Sequence, residues 1–488
     1  MQTPTDCGKA AVMTDIAAFL EQAAALLGPR GLTQDADLIT PWLTDWRGRY
    51  TGRALAMAAP ASTAELAELV KLCARYAVPL VPQGGNSGMC GGATPDESGH
   101  ELLLSLRRMD AIHNLDVAAR QVTCGAGVIL EHLHNAAEAQ GLRFPLTLGG
   151  KGSATVGGLI STNAGGTQVL RHGSMRALVL GLEAVLADGS VFSGLTPLKK
   201  DNRGFDLKQL LIGSEGTLGI ITAATVRLVP AAAGRVVIWA GVPTLHMARA
   251  LLLHCDDAMG AALEGFEVVP RTSLTAVLAH VPTARRPLAG DHAWNVLIEV
   301  VADQANVDNL RDRAEGMIAA AFAAGLVEDA VFSANETQAQ AFWALRESVP
   351  QAERAKGPAL QHDISVAVER MPDFVDHAVA EVEAAFPGTE AIAFGHLGDG
   401  NVHFHVIAPP GTDGLAWETG PGKEISHKVY DMVTAWGGSI SAEHGIGQLK
   451  RADLERFGDP VALAMMRRVK TALDPQGLLN PGKILTVP

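Results

Sequence analysis

The sequence predicts an α+β protein of two or three domains, on three observations: its length, an uneven spread of glycine, and helical patterns mixed with short extended ones in both halves. At 488 residues the chain is longer than a single hydrophobic core usually organises. Its 52 glycines are concentrated at 84–219, whereas the stretch from there to 390 carries longer helical patterns. That shift places a boundary near 230–234. The expected division is a first domain at 1–232, a second at 233–424, and a helical part at 425–488 packing back on the first.

Each element has a local signal. Residues 14–27 are amphipathic and stop at Gly28, Pro29 and Gly31. Ser62 and Glu65 form a capping box before an apolar run to Val78; Pro79 ends that helix and Leu80-Val81 opens a strand. Two short strands at 180–192 bend at Asp188-Gly189-Ser190. The second domain should hold a strand at 294–301 and helices at 306–323 and 336–348. Asp459 and Pro460 read as cap and first residue of a late helix.

Bulk properties exclude some functions. A net charge of -13 argues against a nucleic-acid partner, which needs a basic face to neutralise phosphates. Cys7, Cys73, Cys90, Cys124 and Cys255 show no CxxC spacing and read as free thiols of a reducing compartment. No apolar run reaches the roughly 20 residues of a membrane span, and no basic-then-apolar leader opens the chain. The expectation is therefore no transmembrane segment and a cytoplasmic location.

Neither GxGxxG nor GxxxxGK[ST] occurs. Instead Pro82-Gln83-Gly84-Gly85-Asn86-Ser87-Gly88 follows a strand, and such small residues can aim several amides at a pyrophosphate. A second segment, 148–166, is too rich in small polar residues for a core element, so a ligand lying on its backbone is the expectation.

Further on, Val402, Phe404 and Val406 alternate as one apolar strand face, which places His403 and His405 together on the other. His396 precedes a Gly398-Asp399-Gly400-Asn401 turn that folds it back toward them, and Glu443-His444 adds a carboxylate and another imidazole. Two imidazoles and a carboxylate with open positions suit a divalent cation such as Zn or Mn. Arg346, on a helix, has the planar fork that grips a carboxylate.

With 211–220 and Asn480-Pro481-Gly482-Lys483, these segments resemble the vanillyl-alcohol-oxidase type of FAD-binding fold over about 42–484, and within it the FAD-linked D-2-hydroxy-acid dehydrogenases. The resemblance implies an FAD-binding domain, an α+β substrate (cap) domain and a small helical C-terminal part. It implies FAD contacts from Pro82, Gln83, Gly84, Gly85, Asn86, Ser87, Gly88, Pro145, Leu148, Gly149, Ser153, Ala154, Thr155, Gly157 and Gly158. Further contacts fall on Asn163, Gly165, Gly166, Gly173, Glu215, Gly216, Gly219, Ile220 and Asn480. The first loop holds no histidine, which favours non-covalent FAD; His172 stands where the family pattern has Tyr.

The family's metal ligands fall on His396, His403 and Glu443, and its general base on His444. Substrate contacts fall on Arg346, His396, Asn401, His405 and Gln361, with His405 open between ligand and substrate contact. Gln361 and Pro350 replace the Lys and Thr of 2-hydroxyglutarate-specific members, and Lys356 and His362 are the candidates to compensate. The implied reaction is oxidation of a D-2-hydroxy acid to the 2-oxo acid, D-2-hydroxyglutarate first, with D-lactate, D-malate and glycolate as alternatives. The implied electron acceptor is a quinone or an electron-transfer flavoprotein, and a homodimer is open. Rival readings are a metal-free flavin oxidase of another alcohol and a subunit of a glycolate-oxidase-like assembly.

Overall fold

The computed structural model describes residues 15–198 and 200–486; Cys7 lies outside them. Local signals set most of the elements. Asp15 caps helix Ile16–Leu27, and Ser62 caps Thr63–Tyr76 by accepting from the Glu65 amide. Glu65 returns its carboxylate to the Ala61 amide at 2.7 Å, one residue before the position a strict capping box uses. Asp459 caps Pro460–Leu473, with proline in the first turn. The helix expected at 306–323 begins later, at Leu310.

Two cores follow. The first lies under a four-stranded sheet ordered Leu32–Thr33, Ala56–Ala58, Leu102–Ser105, Leu80–Gln83, whose last three strands run parallel. Beside it a five-stranded antiparallel sheet is ordered Ile112–Asp116, Gln121–Gly125, Ile220–Arg227, Val179–Val185, Val191–Gly194. The hairpin at Asp188-Gly189-Ser190 joins the last two, with Asp188 accepting from the Ser190 amide at 2.8 Å.

The second core surrounds a seven-stranded antiparallel sheet that begins at Gly234–Val242. Its order is Asp329–Phe332, Gly234–Val242, Trp294–Ala302, Leu263–Pro270, Glu390–His396, Asn401–Ile407, Ala359–Ser365. Both faces are covered. Helices Leu245–Met259, Leu310–Ala323 and Met371–Ala385 pack on one side, and Arg271–His280 and Glu336–Glu347 on the other. The boundary expected at 425 falls inside helix Pro421–Ala435, whose Ile425, Val429 and Val433 are buried in the second core. What returns to the first core is Leu478-Leu479. An amphipathic helix follows its apolar face, and this one faces the sheet.

An ion cluster ties the halves together. Glu264, on the large sheet, accepts from both terminal nitrogens of Arg143 and from Arg171 at 2.9 Å, with His172 Nε2 3.6 Å away. Burial works to raise the Glu264 carboxyl, but Arg143 and His172 outweigh it and hold it at about 2. Because the folded value lies below the unfolded ~4.3, the stabilisation is complete above that pH and is lost as pH falls toward 2. Glu264→Gln should remove this acid-limb slope, worth roughly 3 kcal/mol, in urea unfolding followed from pH 5 down to pH 2. An unchanged slope would place the acid sensitivity elsewhere.

Candidate active site

The large sheet lays polar residues on one face. Strand register sets Glu267 opposite His396, His396 opposite Asn401, Phe394 opposite His403, and His403 opposite Asp363. Val402, Phe404 and Val406 turn into the second core as the alternation requires, leaving Asn401, His403 and His405 on the polar side.

Two acids divide the imidazoles. Glu267 accepts from Arg346 Nε at 2.8 Å and pairs with His396 Nδ1 at 2.5 Å. Burial opposes both charges, yet His396 and Arg346 hold Glu267 at about 2, and Glu267 lifts His396 to about 9. The His396 and His403 rings meet edge-on, 5.3 Å between centroids. His405 shares their face but not their cluster: its Nδ1 is 2.6 Å from Glu353, which also accepts from Ser273 at 2.6 Å. Residues two apart on a strand are separated by about 7 Å, so a helix-borne partner captured the farther ring.

Asp363 organises the rest, and the sequence reading assigned it no role. One carboxylate oxygen accepts from Asn401 Nδ2 at 2.9 Å; the other accepts the amides of Glu443 and His444, each at 2.9 Å. His444 Nδ1 lies 3.5 Å from the same oxygen. Burial would raise Asp363, but His444, Lys450 and His403 hold it well below the usual carboxylate range. Burial pushes His444 down to about 4 against the pull of Asp363, so its imidazole is neutral at physiological pH. Burial, resisted by His396 and aided by Asp363, lifts Glu443 to about 7, and Glu443 Oε1 has no hydrogen-bond partner.

Among the described residues one trio of metal-type ligand atoms lies within 4.8 Å of one another: Asp363, Glu443 and His444. It shares Glu443 with the expected His396, His403 and Glu443, and differs otherwise. The Asp363 oxygens already serve three donors. By contrast, His396 keeps Nε2 while Glu267 holds Nδ1, the way a carboxylate orients a ligand imidazole. Burial keeps His403 neutral, and it makes no hydrogen bond among the described residues.

Lys356 and His362, the candidates to replace a lost cation, are engaged elsewhere. Lys356 pairs with Glu390, and His362 bridges the Phe404 carbonyl and the Ser426 hydroxyl at 3.0 and 2.9 Å. Gln361 sits across from His405, its Nε2 buried without a partner.

In the first half, the expected cofactor residues mark where loops meet. Asn86, Asn163, Glu215 and Asn480 all adopt left-handed backbone, with φ between 45° and 52°. Gln83 donates to the Trp42 and Ala93 carbonyls, Asn86 to Thr44, and Asn480 to Gly92 and Glu215. Glu215 accepts the amides of Ile446 and Gly447 at 2.7 and 2.9 Å, fastening the His444 loop to the first half. Thr155 caps helix Val156–Thr162.

The explanation of the glycines by a ligand alone needs correcting. An added Cβ at Gly85 would lie 1.7 Å from the Ser153 carbonyl, at Gly166 2.3 Å from Thr147, and at Gly157 2.6 Å from Ala126. Those positions are small because protein backbone crosses them. Within the expected set, Gly88 and Gly149 alone have nothing within 4 Å. They leave room for a ligand to approach the backbone, as a bound dinucleotide requires. At Gly165 the Cβ would lie 2.7 Å from Glu443 Oε1, so the first half and the acid-imidazole cluster share one wall.

Two family patterns match: an FAD binding domain over residues 54–194, and the C-terminal domain of FAD linked oxidases over residues 232–484. The chain belongs to the FAD-linked oxidases. Within that family it falls in the D-2-hydroxy-acid dehydrogenase branch and is an FAD-dependent dehydrogenase. It is 36% identical to a D-2-hydroxyglutarate dehydrogenase of Xanthomonas citri, covering 95% of this chain and 96% of the relative. It is 34% identical to the mitochondrial D-2-hydroxyglutarate dehydrogenase of Arabidopsis thaliana, over 96% of this chain and 81% of that one. A putative mitochondrial D-lactate dehydrogenase of Schizosaccharomyces pombe is 32% identical over 92% and 85%.

The fold is of the vanillyl-alcohol-oxidase type, shared with p-cresol methylhydroxylase at a TM-score of 0.74 and 15% identity, covering 98% of both chains. A 4-ethylphenol oxidase from Gulosibacter chungangensis aligns at 0.67 and 18% identity, covering 97% of both. The expected cytoplasmic location does not stand, because several of these relatives are mitochondrial by name. The absence of a leader pattern was too weak a signal to place the chain. No helix among the described residues is long and apolar enough to cross a membrane.

Proposed function

We propose that this chain oxidises a D-2-hydroxy acid, D-2-hydroxyglutarate first among them, to the 2-oxo acid with non-covalently bound FAD. The observation that carries the reading is the shared wall at Gly165: Glu443 and the adjoining His444 stand against the glycine-rich half of the chain. The relatives named for D-2-hydroxyglutarate and D-lactate support the substrate class.

FAD, held along the segments with open backbone at Gly88 and Gly149, supplies the hydride acceptor. A divalent cation on His396, His403 and Glu443 would lower the pKa of the substrate hydroxyl and bind the neighbouring carboxylate. Glu443, with its unpartnered oxygen, and His396, aligned by Glu267, suit that donor set. His396 must give up a proton to serve, which makes metal uptake pH-dependent. Arg346 holds the substrate carboxylate through terminal nitrogens that its Nε bond to Glu267 leaves available. His444, neutral and backed by Asp363, takes the hydroxyl proton.

Anaerobic mixing with D- and L-2-hydroxy acids tests the reading: D-acids should bleach the flavin and L-acids should not, and bleaching by none of them would end it. Dialysis against a chelator should remove reduction by D-acids and leave the flavin bound, with added Zn or Mn restoring it. Full activity in protein shown to be metal-free would take the metal out of the mechanism.

A further inference from the structure

Arg346, the cation beside the large sheet, is already committed in part to Glu267. A second cation reaches the site from the opposite side. Thr44 and Thr51 bridge the base of a short loop, and buried Asp45 accepts the amides of Arg47 and Tyr50 at 3.3 and 2.7 Å. Asp45 thus shapes the turn without neutralising the arginines on it. Arg47 lies down on Met89, its terminal nitrogen 3.3 Å from the sulfur, and its Nε is buried with no hydrogen-bond partner.

Met89 is next to the residue that holds the His444 loop. The Cys90 carbonyl accepts the Gln448 amide at 2.9 Å, and Cys90 Sγ lies 3.4 Å from the Gly445 carbonyl. Arg47 is close enough to Asp363 and His444 to act on the charge of each. Burial pushes Arg47 down to about 10, and Arg49 and Arg354 press the same way.

None of Arg47, Arg49 and Arg354 forms an ion pair among the described residues, although the sequence has 52 acidic against 39 basic residues. Like charges gathered around a buried, unsatisfied guanidinium disfavour one another unless an anion joins them. A planar fork with a free Nε matches a carboxylate. On the sheet side, Gln361 Nε2 is a second buried donor without a partner.

We propose that Arg47, with Arg49 and Arg354 behind it, binds the second carboxylate of a dicarboxylic 2-hydroxy acid. The inference rests on the function proposed above and adds which acids are preferred: those carrying a second negative charge away from the reacting carbon. Recognition of that end comes from the 44–51 loop of the first half, where the sheet offers a neutral amide at Gln361.

The test compares holoenzyme with Arg47→Met and Arg47→Lys. Flavin absorbance changes are titrated with glutarate and with butyrate, neither of which can be oxidised as a 2-hydroxy acid. Flavin reduction is then followed with D-2-hydroxyglutarate, D-malate and D-lactate. Arg47→Met should lower the glutarate-to-butyrate affinity ratio and the diacid-to-lactate ratio of kcat/KM by about 30-fold or more, and Arg47→Lys should restore part of each. Ratios unchanged in Arg47→Met, or loss of FAD from that variant, would overturn the assignment. Wild-type protein that binds glutarate selectively but is reduced by no 2-hydroxy acid would keep the site and remove the proposed function. Reduction by 2-hydroxy acids without selectivity for glutarate would remove the site alone.

Discussion

Replacing His444 with Asn should slow flavin reduction by about 10²–10⁴-fold while leaving FAD bound and the melting temperature close to that of the wild type. The imidazole is the part removed; the residue 444 amide, which donates to Asp363 at 2.9 Å, stays. Burial holds the imidazole near 4, so it is ready to accept a proton across the physiological range. Its distance from Asp363, 3.5 Å, is longer than a formed hydrogen bond, and such contacts often tighten only with substrate present. Anaerobic stopped-flow reduction by a D-2-hydroxy acid is the measurement. An unchanged rate would assign the proton to another group.

Asp363→Ala should be the more damaging change, affecting both folding and catalysis. Three donors, the amides of Glu443 and His444 and the side chain of Asn401, lose an acceptor in a buried place. Each buried group left unpaired costs about 1–3 kcal/mol, so the midpoint of urea unfolding should fall clearly. The loop bearing Glu443 and His444 would then be held chiefly by Glu215 on its far side. The expected loss in the rate of flavin reduction at saturating acid is ~100-fold or more, the cost of a misplaced base. Asp363→Asn keeps one acceptor oxygen and should recover stability before it recovers rate. If Asp363→Ala were as stable and active as wild type, Asp363 would have no organising role.

Much of this could be read from the chain. The caps at Ser62 and Asp459 act through residues three or fewer positions away. The alternation at 402–406 has the two-residue period of a strand, and the structure keeps it. The glycine-rich segments pointed to a flavin protein, and the family match agrees. Signals of this kind survive in a single sequence because both partners lie within a few residues of each other.

The remainder depends on pairings across long separations. Glu267 and His396 are 129 positions apart, Asp363 and His444 are 81, and Cys90 and Gly445 are 355. A lone Asp or Glu on an apolar strand gives no local sign of which donors will meet it once strands register and loops close. The glycine loops show the same limit: their composition is plain, yet Gly85, Gly157 and Gly166 are small because distant backbone crosses them, while Gly88 and Gly149 face open space. The tally of charges was in the sequence from the start. That Arg47 would be buried without an acid beside it needed the whole fold, since desolvation and pairing are set by everything packed around a group rather than by its neighbours in the chain.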